Sequence, residues 1–291
     1  MKKQIVEVFN KLGIEIRSAN VKPDTVDYKE IYPVESIISR SFYNLGAGKF
    51  SHPCWTNIDG ESNWYTDLNG SEQIGISYDL FDHKPLPIDS DSAEIFYTSH
   101  TIEHTDDISV MFIFKEIHRT LKKGGVFRVL TPNADLGYQA YKRDDRKYFF
   151  WIEWEHMNRD IEKQCIRMPL REASTAQVFL EDIAGDASEL STIGNVKRIS
   201  DVELERLFNE LPFDQVLNYC TSLCSIENQK KFPFRHMNWF NEAKLNRMLK
   251  EAGFGTVKRS SYLQSDLHVL RNSNYFDQTL PKVSIYMEAL K

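Results

Sequence analysis

The sequence is poor in cysteine, with four among 291 residues, at positions 54, 165, 220 and 224, and no CxxC pair. So few thiols cannot stabilise a chain of this length through disulfide bonds, and a reduced, cytoplasmic setting is predicted. Cys220 and Cys224 could share a helix face, but nothing pairs with them as further zinc ligands. We therefore predict no metal site.

Long apolar runs are also missing. The most apolar stretch, Ile108–Phe114, has seven residues, whereas a membrane-spanning helix needs about 20. Glu7 and Lys11 interrupt the first residues where a secretory signal needs an unbroken apolar segment. We expect neither a membrane span nor a signal peptide.

A basic excess is absent as well, since the formal net charge is −6, and this argues against a nucleic-acid partner. The charge is unevenly spread. Residues 172–214 hold ten acidic against three basic side chains, and residues 228–259 hold eight basic against two acidic. These stretches are either solvated faces or, for the basic one, a wall beside an acceptor that carries phosphate or carboxylate.

Short apolar runs divided by turn residues begin at Ser41 and are typical of buried strands. The predicted strands are residues 42–45, 55–59, 74–78, 94–99, 126–130, 256–263 and 283–290, and the two clearest helices are 107–122 and 240–252. This alternation predicts an α/β fold, a Rossmann-like, mostly parallel seven-stranded sheet with helices on both faces.

Four segments divide the chain. Residues 1–40 form a predicted N-terminal helical segment, and 41–135 form the first part of a cofactor-binding core. Residues 136–235 are too long for an ordinary connection and predict a substrate cap inserted after strand 5, while 236–291 complete the core. Within the cap, the aromatic residues at 148–151 and 154 are either the cap's own small core or a wall for a sugar.

Polar residues follow four successive predicted strands. Gly46 and Gly48 follow the first, Asp59 and Asp79 end the second and third, and Thr98-Ser99-His100 ends the fourth. Open α/β sheets bind ligands at the carboxyl ends of parallel strands, where glycines let the backbone come close. The sequence therefore predicts a ligand site at this edge.

The glycine loop does not fit a nicotinamide cofactor. Ser51 stands where the third glycine of GxGxxG would be, and about ten residues separate Leu45 from Thr56, too few for a crossover helix. Without a helix N-terminus, a pyrophosphate lacks its usual binding site. These features favour a cofactor without phosphates.

The segments YNLGAGKF, WTNIDG, YDL…LPIDSDSAEIFYTSHTIEH and EIHRTLKKGGVFRVLTPN resemble, in order and spacing, the class I S-adenosylmethionine-dependent methyltransferases. The likeness is nearest to predicted methyltransferases of surface-polysaccharide gene clusters. It covers residues 41–135 and resumes at His236 with HMNWFNEAKLNRMLKEAGF, continuing to SIYMEALK.

The resemblance implies S-adenosyl-L-methionine as cofactor. Gly46, Ala47 and Gly48 would contact its methionine and ribose parts, Asp59, with Gly60 beside it, its ribose hydroxyls, Asp79 and Leu80 its adenine, and Ser99 its methionine end. Asn44 belongs to the same set, although this position is acidic in many relatives.

Histidines near the predicted edge are the candidates for a general base that serves a hydroxyl nucleophile. His100 and His104 follow the fourth strand, and His236 stands where the cap returns to the core. Each could equally be a structural, hydrogen-bonded histidine. Glu103 and Asp135 are weaker carboxylate candidates.

Three functions follow from these patterns. The first is methyl transfer to a small or sugar-like acceptor, with oxygen as the expected target. A phosphorylated acceptor and a role in surface-polysaccharide synthesis are both compatible with this function. The second is a non-catalytic scaffold that binds the cofactor, suggested by Asn44. The third is a nucleotide-sugar or NAD-dependent enzyme, for which Tyr138 and Lys142 have the required Tyr-x-x-x-Lys spacing. The oligomeric state stays open.

Overall fold

A computed structural model describes residues 25–60 and 75–291. Its centre is a seven-stranded sheet in the order β3-β2-β1-β4-β5-β7-β6. The strands are β1 Phe42–Leu45, β2 Trp55–Asp59, β3 Ile76–Ser77, β4 Ala93–Ser99, β5 Leu121–Pro132, β6 Thr256–Ser260 and β7 Ser284–Leu290. Strands β1 to β5 pair in parallel, and β7 runs antiparallel to both β5 and β6. The predicted fold class is confirmed.

Register brings the predicted ligand-binding residues to one edge. Leu45 of β1 lies beside Ile58 of β2 on one side and Thr98 of β4 on the other. The next residues along the three strands, Gly46, Asp59 and Ser99, therefore meet at the same end of the sheet.

Two helices of the core agree with the periodicity that predicted them: α3 Asp107–Thr120, which joins β4 to β5, and α10 Glu242–Glu251, which precedes β6. Helices α1 Thr25–Ile31 and α2 Val34–Ile38, which precede β1, were not predicted from periodicity. Asp106 and Asn241 cap α3 and α10, each accepting a hydrogen bond from a backbone N–H three residues on. The helix predicted to reach Lys122 ends earlier, because Leu121 already pairs with Ala93 in the sheet.

Two aromatic side chains anchor the first described helix. Tyr28 is fully buried against Phe42, and its hydroxyl accepts a hydrogen bond from Trp55 Nε1 at 2.6 Å. The helical pattern predicted for the N-terminal segment, at Ile5, Val8, Phe9 and Leu12, lies outside the described residues.

Six α-helices lie between β5 and α10 in the described chain. They are α4 Ala134–Lys142, α5 Glu155–Arg159, α6 Thr175–Ala184, α7 Asp201–Glu210, α8 Phe213–Ser222 and α9 Ile226–Lys231. Their apolar side chains form a cluster of their own around Phe149, Phe179 and Leu217, joined by Trp239 and Val283 from the last part of the chain. Among the described residues, no helix is both long and apolar enough to cross a membrane.

Arg128 of β5 is a large charged side chain that is fully buried within the sheet. Its guanidinium pairs with Asp277 at 2.6 Å and Glu288 at 2.8 Å, and it also donates to Ser260 Oγ and Ser261 O. Because both acidic partners come from the last part of the chain, this network ties β5 to β7 and to the loop before it.

Candidate active site

A cavity of about 660 Å³ opens at the carboxyl ends of β1, β2 and β4. Of the predicted site residues it is lined by Asn44, Gly46, Ala47, Gly48, Asp59, Gly60, Asp79, Leu80, Ser99, His100 and His104. Gln229, Lys230 and Pro233 close it from the segment after β5, and a loop around Tyr275 closes it from the other side. The predicted His236 lines a separate cavity of about 180 Å³.

The two glycines of the loop serve different purposes. Both have the positive φ that favours glycine, +66° at Gly46 and +51° at Gly48. A Cβ on Gly46 would stand 2.1 Å from Thr101 Oγ1, whereas one on Gly48 would have no atom within 4 Å. Gly46 thus lets the loop pack on Thr101, and Gly48 leaves the cavity wall open for a ligand.

Asp59 holds the loop in place. Its Oδ2 accepts a hydrogen bond from Gly48 N and its Oδ1 one from Gly60 N, both at 2.8 Å. Burial raises the pKa of this carboxyl, and the backbone donors, including Ala47, oppose that rise. The carboxylate therefore stands at the cavity wall as a positioned hydrogen-bond acceptor.

Asp79 carries a contact that the sequence did not predict. Its Oδ1 accepts from Phe81 N, and its Oδ2 lies 2.8 Å from Lys230 Nζ. Lys230 also stands over the Phe81 ring. Because Lys230 belongs to α9, this half-exposed ion pair joins the two sides of the cavity at its rim.

The three predicted histidines have different surroundings. His100 has a positive φ of 53°, and its Nε2 hydrogen-bonds Ser284 Oγ at 2.7 Å. His104 donates from Nδ1 to Arg235 O, and His236 donates from Nδ1 to Asp182 O, each at 2.8 Å. The His104 and His236 rings are 4.8 Å apart, so His236 lies directly behind the cavity wall.

Glu103, predicted only as a weaker candidate, lies at the centre of these histidines. It is 1% exposed, and its Oε2 accepts from Thr131 Oγ1 at 3.0 Å. Burial raises its pKa, but the neighbouring His100, His104 and His236 outweigh burial and bring it to about 2. Burial and the charge of His104 lower the pKa of His236 to about 4.

The other candidates lie away from the cavity. Asp135 accepts from Asn241 Nδ2 at 2.9 Å, close to the start of α10. Tyr138 packs 4.7 Å from the Phe208 ring, and neither it nor Lys142 lines the cavity. Between β1 and β2 the chain forms turns and no helix, as predicted. The geometry therefore gives no support to an NAD-type site.

The aromatic residues at 148–151 and 154 belong mainly to the packing of the segment after β5. Phe149 and Trp151 are buried in its cluster, and Tyr148 and Phe150 pack against it. Trp154 is 42% exposed and borders the smaller cavity together with Trp151.

Arg235 corrects the idea of a basic wall. Its side chain is 3% exposed and is neutralised by Glu181 at 3.1 Å and Asp186 at 3.2 Å. Lys244 is likewise buried and lies 2.8 Å from Asp107. Much of the basic stretch is thus paired with acidic side chains that its sequence position could not reveal.

Comparison with known proteins gives one family match. The sequence model of the family described as "Methyltransferase domain" matches residues 56–129. No curated protein sequence matches the chain. The matched residues include most of β2, β4, α3 and most of β5, and with them Asp59, Asp79 and Ser99 of the cavity lining.

Solved structures with a similar course of the chain include three methyltransferases. One from Thermotoga maritima is 13% identical, with 92% of this chain and 88% of that chain covered and a TM-score of 0.37. One from Mesorhizobium loti is 12% identical, with 94% and 99% covered and a TM-score of 0.37. Human N-acetylserotonin methyltransferase, solved with S-adenosylmethionine, is 10% identical, with 88% and 51% covered and a TM-score of 0.35.

The class of protein follows from the matched domain, together with the seven-stranded order and the glycine loop with its two strand-end acids. The chain contains a methyltransferase domain, and its fold is Rossmann-like. Its acceptor is a separate question.

Proposed function

We propose that this enzyme transfers a methyl group to a hydroxyl oxygen of a small, sugar-like acceptor. The observation that supports this proposal most is the shared cavity, in which the glycine loop and Asp59 stand on one wall and His100 and His104 on another. When bound, S-adenosylmethionine supplies a methyl group on a positively charged sulfur. The nucleophile must then approach from the histidine side.

The residues proposed to hold the cofactor fit it chemically. Gly48 presents a bare backbone, and Asp59 offers carboxylate oxygens for ribose hydroxyls. Asp79 and Leu80 would border the adenine, with Lys230 of α9 closing over Asp79. Gly60, Ala47, Asn44 and Ser99 complete the proposed wall. None of these contacts requires a phosphate group on the ligand.

The acceptor's hydroxyl would reach the side chains that follow β4. His104 lines the cavity and uses Nδ1 as a donor, which leaves its Nε2 lone pair as a proton acceptor in the neutral ring. The proposed segment 136–235 would exclude water, with Gln229 and Pro233 as its nearest contributions. Positioning and exclusion of water together favour the in-line displacement.

The charge of the cavity favours a neutral acceptor over a phosphorylated one. Arg235 is paired within the protein, and Lys230 is paired with Asp79. Lys49 is the other lysine on the cavity wall. A role in surface-polysaccharide synthesis rests on the sequence resemblance, and such polymers offer neutral sugar hydroxyls of the required kind.

Calorimetric titration with S-adenosylmethionine and its demethylated product tests the cofactor part. We expect binding of both, and a loss of at least tenfold in affinity for Asp59→Asn, because the amide keeps the shape but not the charge that accepts two ribose hydrogen bonds. Asp91→Asn, at the exposed pair with Lys291, is the control and should bind normally. Absence of binding to the unaltered protein would refute the proposal.

Transfer of a radiolabelled methyl group to a panel of neutral sugars, sugar phosphates and nucleotide sugars tests the acceptor part. Neutral acceptors should be methylated with the highest kcat/KM. Faster methylation of an amine would contradict the choice of oxygen. Tight cofactor binding with no transfer to any class of acceptor would favour the alternative that Asn44 suggests, a scaffold that binds the cofactor without turnover.

A further inference from the structure

We infer that Glu103, His104 and His236 form a binding site for one divalent transition-metal ion at the acceptor end of the cavity. One ligand atom from each residue lies within 4.8 Å of the other two. This inference departs from the sequence prediction of no metal site. It rests on the proposed function for its role in catalysis, although binding of the ion itself does not.

The two histidines are oriented as metal ligands are. Each imidazole donates its Nδ1 hydrogen to a backbone carbonyl, His104 to Arg235 O and His236 to Asp182 O. Only Nε2 is then left with a lone pair, and the hydrogen bond to the carbonyl restrains the ring to small rotations. Metal-ligating histidines nearly always donate the second ring nitrogen to a carbonyl or carboxylate in this way.

The carboxylate supplies the independent observation. Glu103 is buried, and its Oε2 accepts from Thr131. Its Oε1 makes no well-directed hydrogen bond, and His100 Nδ1 lies 3.2 Å from it. Burial of a carboxylate is costly unless cations stand close to it, and a metal ion at Oε1 would add to the single contact from His100.

The backbone fixes the ligands relative to one another. Glu103 O accepts hydrogen bonds from Met237 N at 2.9 Å and Asn238 N at 3.1 Å. The short 3₁₀ turn Ile102–His104 is thereby tied to the segment that carries His236. Ligands of a tetrahedral ion with bonds of about 2.1 Å lie about 3.4 Å apart, so small side-chain rotations would complete the site.

The ligand set indicates the kind of ion. Two imidazoles and one carboxylate suit Zn²⁺, Mn²⁺, Fe²⁺ or Co²⁺ rather than Mg²⁺ or Ca²⁺, which prefer oxygen alone. Three protein ligands leave coordination positions open, and His104 is the ligand of this set that lines the cavity from which an acceptor would come. An acceptor oxygen in such a position loses its proton to solvent more readily. That oxygen then bonds the methyl carbon as the carbon–sulfur bond breaks, and His104 serves as a ligand.

The experiment titrates the chelator-treated full chain with Zn²⁺, Mn²⁺ and Co²⁺ in separate calorimetric runs. We expect one ion per chain, and the Co²⁺ complex should show visible absorption bands. His236→Ala and Glu103→Gln should each weaken binding at least tenfold. His268→Ala removes an exposed histidine that pairs with Asp27 and is the matched control, with unchanged binding. Affinity for the demethylated cofactor, measured in parallel, shows that each variant is folded.

Three results would overturn the inference. One is no binding of any of the three ions to a protein that still binds the demethylated cofactor, which would leave the proposed function intact. Another is equal binding by the control and by His236→Ala, which would place the ion elsewhere. The third is full methyl transfer by the chelated enzyme, which would remove the ion from catalysis and return His104 to the role of base. Loss of cofactor binding in the unaltered protein would instead refute the proposed function.

Discussion

Alanine at Gly46 and alanine at Gly48 should have opposite consequences, although the two glycines are two residues apart in one loop. Both substitutions place a Cβ on a left-handed residue, which costs about 1–2 kcal/mol. At Gly46 the new carbon also meets Thr101, at 2.1 Å from Oγ1 and 2.4 Å from Cγ2. Overpacking of this kind adds about 1–3 kcal/mol. The expected loss of stability is therefore about 2–5 kcal/mol for Gly46→Ala and about 1–2 kcal/mol for Gly48→Ala.

Affinity for the demethylated cofactor should follow the opposite order, with the larger loss for Gly48→Ala. A Cβ at Gly48 enters open space on the cavity wall, so Gly48→Ala should fold and lose at least tenfold in affinity for the demethylated cofactor. Urea unfolding followed by circular dichroism measures the stability difference, and calorimetry measures the affinity. The entropy that alanine removes from the unfolded chain affects both variants equally and cancels in the comparison.

Thr101→Ala provides an internal check on the steric part. It removes the two atoms nearest to the new carbon and leaves the Thr101 Cβ at 2.8 Å. Combined with Gly46→Ala it should recover part of the lost stability. Equal midpoints for the two single glycine variants, or strict additivity in the double variant, would refute the argument that Gly46 exists to pack on Thr101.

Three further predictions concern charge and protonation. His52 is buried, and mainly burial lowers its pKa to about 4. Between pH 6.5 and 4 the unfolded chain binds the extra proton, so acidification should cost about 3 kcal/mol. His52→Gln should flatten this part of the stability–pH curve, whereas the exposed His268→Gln should not. Arg128→Met leaves the buried carboxylates of Asp277 and Glu288 without their cation. The free energy of unfolding at pH 7, measured with urea, should fall by about 3–5 kcal/mol and should partly recover on acidification. A loss below about 1 kcal/mol would contradict this prediction. Lys230→Ala breaks the half-exposed pair with Asp79, so stability should change by less than about 1 kcal/mol. The cofactor should dissociate several-fold faster in stopped-flow measurements. An unchanged dissociation rate would show that this pair at the rim does not restrain the ligand.

Local pattern was sufficient for the sheet and its ligand-binding edge. Strands β1 and β2 begin and end where their apolar runs do, because each is bounded by turn residues and buried on both faces. The first residues of β5 were missed, because Leu121 and Lys122 continue the helical period of α3, and only the pairing with β4 draws Leu121 into the sheet. The pair Gly124-Gly125 was interpreted as the end of the predicted helix 107–122, whereas both glycines lie within β5.

The residues that sequence reasoning undervalued depend on contacts between distant segments. Glu103 is unremarkable in sequence, and it becomes central because His236 and the Met237 amide return to it from more than 130 residues away. Arg235 belongs to the basic stretch that was interpreted as either a solvated face or a wall beside an acceptor, yet Glu181 and Asp186 neutralise it. Lys230 reaches Asp79 in the same manner. Nothing in local spacing carries such information.

The position of β7 has a consequence for how the chain folds during synthesis. This strand follows β5 by about 150 residues in the sequence, but it lies inside the sheet, between β5 and β6. Until it emerges from the ribosome, β5 keeps an open edge and Arg128 lacks both Asp277 and Glu288. An unpaired apolar edge is the kind of surface on which nascent chains aggregate or recruit chaperones. The order in which residues are made thus delays closure of the sheet until β7, Ser284–Leu290, is available.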